Sequence, residues 1–167
     1  MKTVKSVLDS ALAWFCVVLF AVLVVVVAWQ VFSRQVLDSP SGWSEELAKY
    51  VFIWLGLFGS ALVFGERGHI LVDFAVNKLP ARVQWVVAIL MQLVILAFAA
   101  LVLVYGGWSV AQLSWDQSLA GLPVSVGPLY LALPISGVLT CFYTIYHLVA
   151  ILVGAESAVE EPEPDVL

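Results

Sequence analysis

Charge is what this sequence has least of. Only 11% of its 167 residues are Asp, Glu, Lys or Arg, while 63% are hydrophobic and the mean hydropathy is +1.05. Soluble domains carry roughly 25% charged residues. A fold this small leaves too much surface in water to hide such an apolar excess. A soluble globular protein is therefore excluded, and so is a disordered chain, which would be polar and charge-rich. Positive charge is scarcer still: 7 Lys and Arg stand against 12 Asp and Glu. No basic run is long enough to follow phosphates, so no nucleic-acid partner is expected. Cysteine is nearly absent, with Cys16 and Cys141 each inside an apolar run. They read as small buried hydrophobes and supply neither a disulfide framework nor a zinc pattern. There is no Ser/His/Asp arrangement and no phosphate-binding glycine loop, so no catalytic residue, metal site or cofactor is expected.

What is present is four long apolar blocks, at residues 11–32, 47–64, 83–104 and 129–153. Roughly 20 apolar residues cross a bilayer core as a helix. A membrane strand would instead alternate every second residue, and residues 22–27 do not. The expected fold class is thus an all-α integral membrane protein with four transmembrane helices. Lys2 and Lys5 precede the first block like the basic end of a signal peptide. That block is too long for one, however, and it ends at Gln30-Val31-Phe32-Ser33-Arg34 with no small-residue cleavage site. A retained anchor is the expectation.

The few positive charges predict the orientation. Lys2, Lys5, Arg67, Lys78 and Arg82 fall on one side, and Arg34 and Lys49 on the other. This places residues 1–10, the loop after span two and the C-terminus in the cytoplasm. Residues 154–167, with Glu160, Glu161, Glu163 and Asp165 beside Pro162 and Pro164, read as an acidic disordered tail.

Two stretches stand out. The first is Trp43-Ser44-Glu45-Glu46, opening span two. One reading is helix capping: Ser44 accepts from free amides, the carboxylates suit the positive helix end, and Glu45 pairs with Lys49 one turn on. Trp43 then sits at headgroup level. The other reading is an outward docking surface. Deeper in span two, Gly56 and Ser60 lie four apart and leave a groove for another helix, with Gly59 beside them. Trp54, at mid-span, is suited to packing on protein. The second stretch is residues 65–79, where Ile70, Leu71, Phe74 and Ala75 recur at helical spacing. It reads as a short amphipathic helix in the cytoplasmic interface, closed by Pro80. Glu66, His69 and Asp73 resemble an acid–base cluster, but no pocket or organised substrate accompanies them. His69 and His147 on two helices offer ligands for a b-type haem. That alternative, a haem-bearing membrane anchor of an oxidoreductase, is weakened because His69 lies outside the apolar spans. No Asp, Glu or Arg sits at mid-membrane, where ion-coupled transporters and small multidrug carriers keep their sites.

Three blocks then resemble a family. They are Trp43-Ser44-Glu45-Glu46 running into Tyr50, Trp54, Gly56 and Gly59; Arg67-Gly68-His69-Ile70 with Asp73; and Leu122-Pro123 after Trp115 and Leu119, followed by Leu133-Pro134-Ile135-Ser136-Gly137. Their order is similar to that in the small membrane subunit of tripartite ATP-independent periplasmic (TRAP) transporters, the DctQ-like group. Ser136 departs from the Pro-x-Gly often found there. The resemblance implies a bacterial inner-membrane subunit without enzymatic activity. It implies a large elevator-type membrane subunit that holds substrate and sodium sites, a periplasmic substrate-binding protein and membrane lipids as partners, and organic anions such as sialic acids as substrates. It makes Trp43, Ser44, Glu45, Glu46, Tyr50, Trp54, Gly56, Gly59 and Ser60 candidates for partner contact. Arg67, His69, Asp73 and Phe74 become an interfacial brace. The purified protein is expected to show no Soret band; a haem spectrum that survives purification would replace the transporter reading with the oxidoreductase one.

Overall fold

The computed structural model describes residues 2–65 and 80–153. The interfacial helix expected within residues 65–79 and the acidic tail at 154–167 lie outside the described residues, apart from Gly65. The described residues are almost wholly helical. Helix α1 spans Lys2–Gln35 and α2 spans Gly42–Gly65. The third span begins as α3, Ala81–Phe98, widens into a π-helical segment at Ala99–Gly106 and ends as α4, Gly107–Leu113. The fourth begins as α5, Val126–Tyr130, breaks at Leu131 and continues as α6, Ala132–Leu152. Among the described residues four helices are long and apolar enough to cross a membrane, and this is an all-α integral membrane protein.

The helices outrun the apolar blocks. Hydropathy marks the stretch that dwells in hydrocarbon, whereas backbone hydrogen bonding carries a helix on into the polar interface. In α1 the extra turns hold an ion pair between Lys5 and Asp9 at 2.9 Å. Pro80 sits just before α3 with an extended backbone, and its carbonyl accepts from the amides of Val83 and Gln84. That geometry suits proline, which lacks an amide that a helix start cannot use anyway. Pro128 is likewise tolerated in the first turn of α5.

Packing follows the order one, two, four, three. Span one has its principal partner in α2, α2 is also packed against α6, and α6 carries the third span. The interior is correspondingly thin. Leu12, Phe58, Ala61, Ala132 and Tyr143 form its centre, with Leu8, Cys16, Trp54, Leu57, Leu62 and Leu139 around them. Phe15 meets Phe58 and Trp54 edge-on, at 5.1 and 6.3 Å between ring centroids, and this binds α1 to α2. Most other large apolar side chains face outward, such as Trp14 at 70% and Leu101 at 66% exposure. In lipid this costs nothing, because acyl chains are as apolar as leucine.

Since apolar burial gives no advantage there, the helices hold together through close approach. A Cβ on Gly137 would stand 2.7 Å from Leu103 Cβ and 3.0 Å from the Val104 amide nitrogen, both in the widened π segment. Gly107 is as tightly set against Leu133 and Pro134. By contrast, a Cβ on Gly56 or Gly59 would meet nothing within 4 Å. Gly137→Ala is expected to lower the stability of the purified chain by about 1–3 kcal/mol through overpacking. Gly56→Ala should change it by less than about 0.5 kcal/mol, as a surface change does. Thermal unfolding in detergent distinguishes the two.

Candidate functional site

The site is built where α1 ends and α2 begins. Ser33, 2% exposed near the end of α1, gives its hydroxyl hydrogen to the Gln30 carbonyl. The chain then turns through Asp38, whose φ of 48° is one that aspartate tolerates better than most residues. The hydroxyl of Ser41 contacts those of Ser33 and Ser44. Ser44 is fully buried and donates to the Ser41 carbonyl at 2.8 Å. The expected cap is therefore not made. The helix starts at Gly42, before Ser44, so Ser44 closes the turn between two helices instead of accepting from free amides.

The two carboxylates separate. Glu46 Oε2 accepts from the Gly121 amide at 3.0 Å, which clasps the loop between spans three and four onto the first turn of α2. Gly121 is required for that approach, since a Cβ there would lie 2.9 Å from the Gly42 carbonyl. The loop is shaped for it. An antiparallel bridge joins Ser118 to Ser125, and the Val126 amide donates to Gln117 at 2.8 Å. Glu45 remains exposed. It forms no ion pair with Lys49 among the described residues; Lys49 Nζ lies 5.0 Å from the centroid of the Tyr50 ring. Gly42, Glu45, Glu46, Lys49, Ala120 and Gly121 line an open cleft of about 510 Å³.

The residues singled out in α2 thus divide between two faces. Ser44, Tyr50 and Trp54 turn inward. Trp54 Nε1 donates to the Leu129 carbonyl at 2.8 Å, across to the broken start of span four. Pro134 has no amide for the neighbouring Tyr130 carbonyl, so this region of span four needs donors from elsewhere. Trp43 is 42% exposed at the rim. Glu45, Gly56 and Ser60 face outward with Lys49 and Phe52, and Ser60 returns its hydroxyl to the Gly56 carbonyl at 2.7 Å. Arg67, His69, Asp73 and Phe74 lie outside the described residues.

A second set is not apparent as a set in the sequence, where only Ser136 and His147 stand out, and for other reasons. Ser136, Thr140, Thr144 and His147 are each 3% exposed or less and line one face of α6. Their spacing of 4, 4 and 3 residues was the signal available. The hydroxyls of Ser136, Thr140 and Thr144 donate to the carbonyls of Leu133, Ser136 and Thr140, at 2.8–2.9 Å. Nε2 of His147 is 3.0 Å from the Gly65 carbonyl at the end of α2. That contact occupies the nitrogen a haem iron would need. Among the described residues no three His, Cys, Asp or Glu side chains gather into a metal site.

Residues 23–154 match the family described as tripartite ATP-independent periplasmic transporters, DctQ component. The chain is 28% identical to the sialic acid TRAP transporter small permease protein SiaQ of Vibrio cholerae, over 95% of this chain and 92% of that protein. It is 30% identical to a putative TRAP transporter small permease protein of Haemophilus influenzae, over 90% and 92%. It is also 29% identical to part of the sialic acid TRAP transporter permease protein SiaT of Haemophilus influenzae, over 77% of this chain but only 21% of that longer one.

Glu46→Ala is expected to cost about 1–2 kcal/mol of stability, because the Gly121 amide loses a charged acceptor. Glu45→Ala should leave stability within about 0.5 kcal/mol of the parent. Thermal unfolding of both variants in the same detergent checks the division of labour.

Proposed function

This chain belongs to the family of DctQ components of tripartite ATP-independent periplasmic transporters, and we propose that it serves as the static scaffold on which a larger permease subunit is held and moves. The family is a transporter component, carried on several apolar helices in the bacterial inner membrane. The observation that carries the scaffold reading is how the polar groups of span four are used. Its buried Ser136, Thr140 and Thr144 hydroxyls all donate to the backbone of their own helix, so those three are not held out to a solute. The row of helices meanwhile leaves broad apolar surfaces on spans one and three for a membrane partner.

The partner is a large TRAP membrane subunit. SiaT supports this, because a stretch resembling this chain makes up about a fifth of a longer permease protein. The outward stripe of Gly56, Gly59 and Ser60 is a proposed packing surface for that subunit, since small residues let helix backbones approach closely. Solute and sodium sites are assigned to the large subunit, with an organic anion of the sialic acid kind as substrate; the name of the Vibrio cholerae relative supports that class. Both termini are placed in the cytoplasm by the distribution of Lys and Arg. The rim at Trp43 and the clasped loop tip then face the periplasm, where a substrate-binding protein docks, with Glu45 at the edge of the docking area.

Reconstitution tests the scaffold role. Proteoliposomes containing this chain, the large permease and the binding protein are expected to take up solute along a sodium gradient. Leaving out this chain should abolish uptake. Solute transport by this chain alone would overturn the scaffold role.

A further inference from the structure

The cleft at the start of span two is not explained by scaffolding. It lies between the first turns of a membrane span and the loop tip at Ala120 and Gly121, and the neighbouring Trp43 is the residue type that marks the headgroup layer. Its chemistry is mixed. Glu45 and Lys49 are exposed and stand one helical turn apart, at a spacing where Glu and Lys commonly pair. They form no ion pair among the described residues; Lys49 Nζ lies 5.0 Å from the Tyr50 ring centroid, and both the carboxylate and the ammonium line the same cleft. Glu46 is engaged by the Gly121 amide, and that clasp forms the opposite wall. Just below on the same helix face, Phe52 is 64% and Ile53 36% exposed.

We propose that this cleft binds the headgroup of a zwitterionic aminophospholipid of the phosphatidylethanolamine class. The phosphate meets Lys49, and the primary ammonium donates hydrogen bonds to Glu45. The acyl chains descend over Phe52 and Ile53. The short two-carbon spacer between phosphate and ammonium suits two side chains one turn apart, about 5–6 Å between their Cβ atoms. Charge decides between lipid classes. A phosphatidylglycerol headgroup carries no cation and meets the carboxylates of Glu45 and Glu46. A choline headgroup has the cation but no N–H to donate. Both contacts to an ethanolamine headgroup are charge-assisted hydrogen bonds, the stronger kind.

The test uses the complete transporter complex in nanodiscs of equal parts phosphatidylethanolamine, phosphatidylcholine and phosphatidylglycerol, with retained lipid counted by native mass spectrometry. Phosphatidylethanolamine should be retained about tenfold over phosphatidylglycerol, as one charge-assisted hydrogen bond allows. Glu45→Gln with Lys49→Met should remove that preference. Should the double variant fail to assemble, Glu45→Gln and Lys49→Gln are examined singly, and the competition in the unmodified complex needs no variant. Equal retention of the three lipids overturns the proposal. So does an unchanged preference in the variants. A fall in uptake with lipid retention unchanged overturns it too, and assigns Glu45 and Lys49 to a protein contact. The scaffold role fails separately, by solute transport without the large permease.

Discussion

Inside the hydrocarbon layer every polar group must find its partner within the protein, because no water is there to supply one. The rest of the structure depends on that constraint. Span four breaks between Tyr130 and Ala132, and a broken helix in lipid needs outside donors. Trp54 supplies one, reaching from α2 to the Leu129 carbonyl. The same ring packs on Phe15 and Phe58, so one side chain links α1, α2 and the start of span four. At the other end of α2, His147 takes up the Gly65 carbonyl. The two contacts join α2 and the fourth span at both ends, and the remaining helices attach to this pair.

The constraint also explains why the interior is small. Between helices in lipid, apolar burial is not the driving force; close fit and hydrogen bonds are. Gly137 and Gly107 let the third and fourth spans touch almost backbone to backbone. The outward faces stay apolar and largely unpartnered within the chain. Such a row suits a protein that offers surface to a larger membrane partner.

Much of this was legible in the sequence. Four apolar blocks separated by charge can only be spanning helices, and the order of short motifs pointed to the family. The site was less legible. Glu45 and Glu46 look alike in sequence, yet one is exposed and the other clasps Gly121, because adjacent helical residues point about 100° apart and only one meets the Gly121 amide. Gly56 and Ser60 had the spacing of a packing groove, and both are exposed rather than packed within the chain. Gly137 and Gly107, with no such spacing, make the close contacts. The Ser136, Thr140 and Thr144 stripe was readable by its period. Its meaning was not, since a hydroxyl bonded to its own helix and one awaiting a solute have the same letter.

By itself the sequence determined the class of solvent, the number of spans and the family. The first two follow from composition and run length, which are sums over residues, and the family follows from the order of short motifs; none of these depends on how the helices meet. Only the tertiary structure decided which carboxylate is engaged, which glycines are crowded and which donor serves the broken span. Those are pairings between positions as far apart as Glu46 and Gly121 or Trp54 and Leu129, and such a pair has no partner until the helices lie side by side.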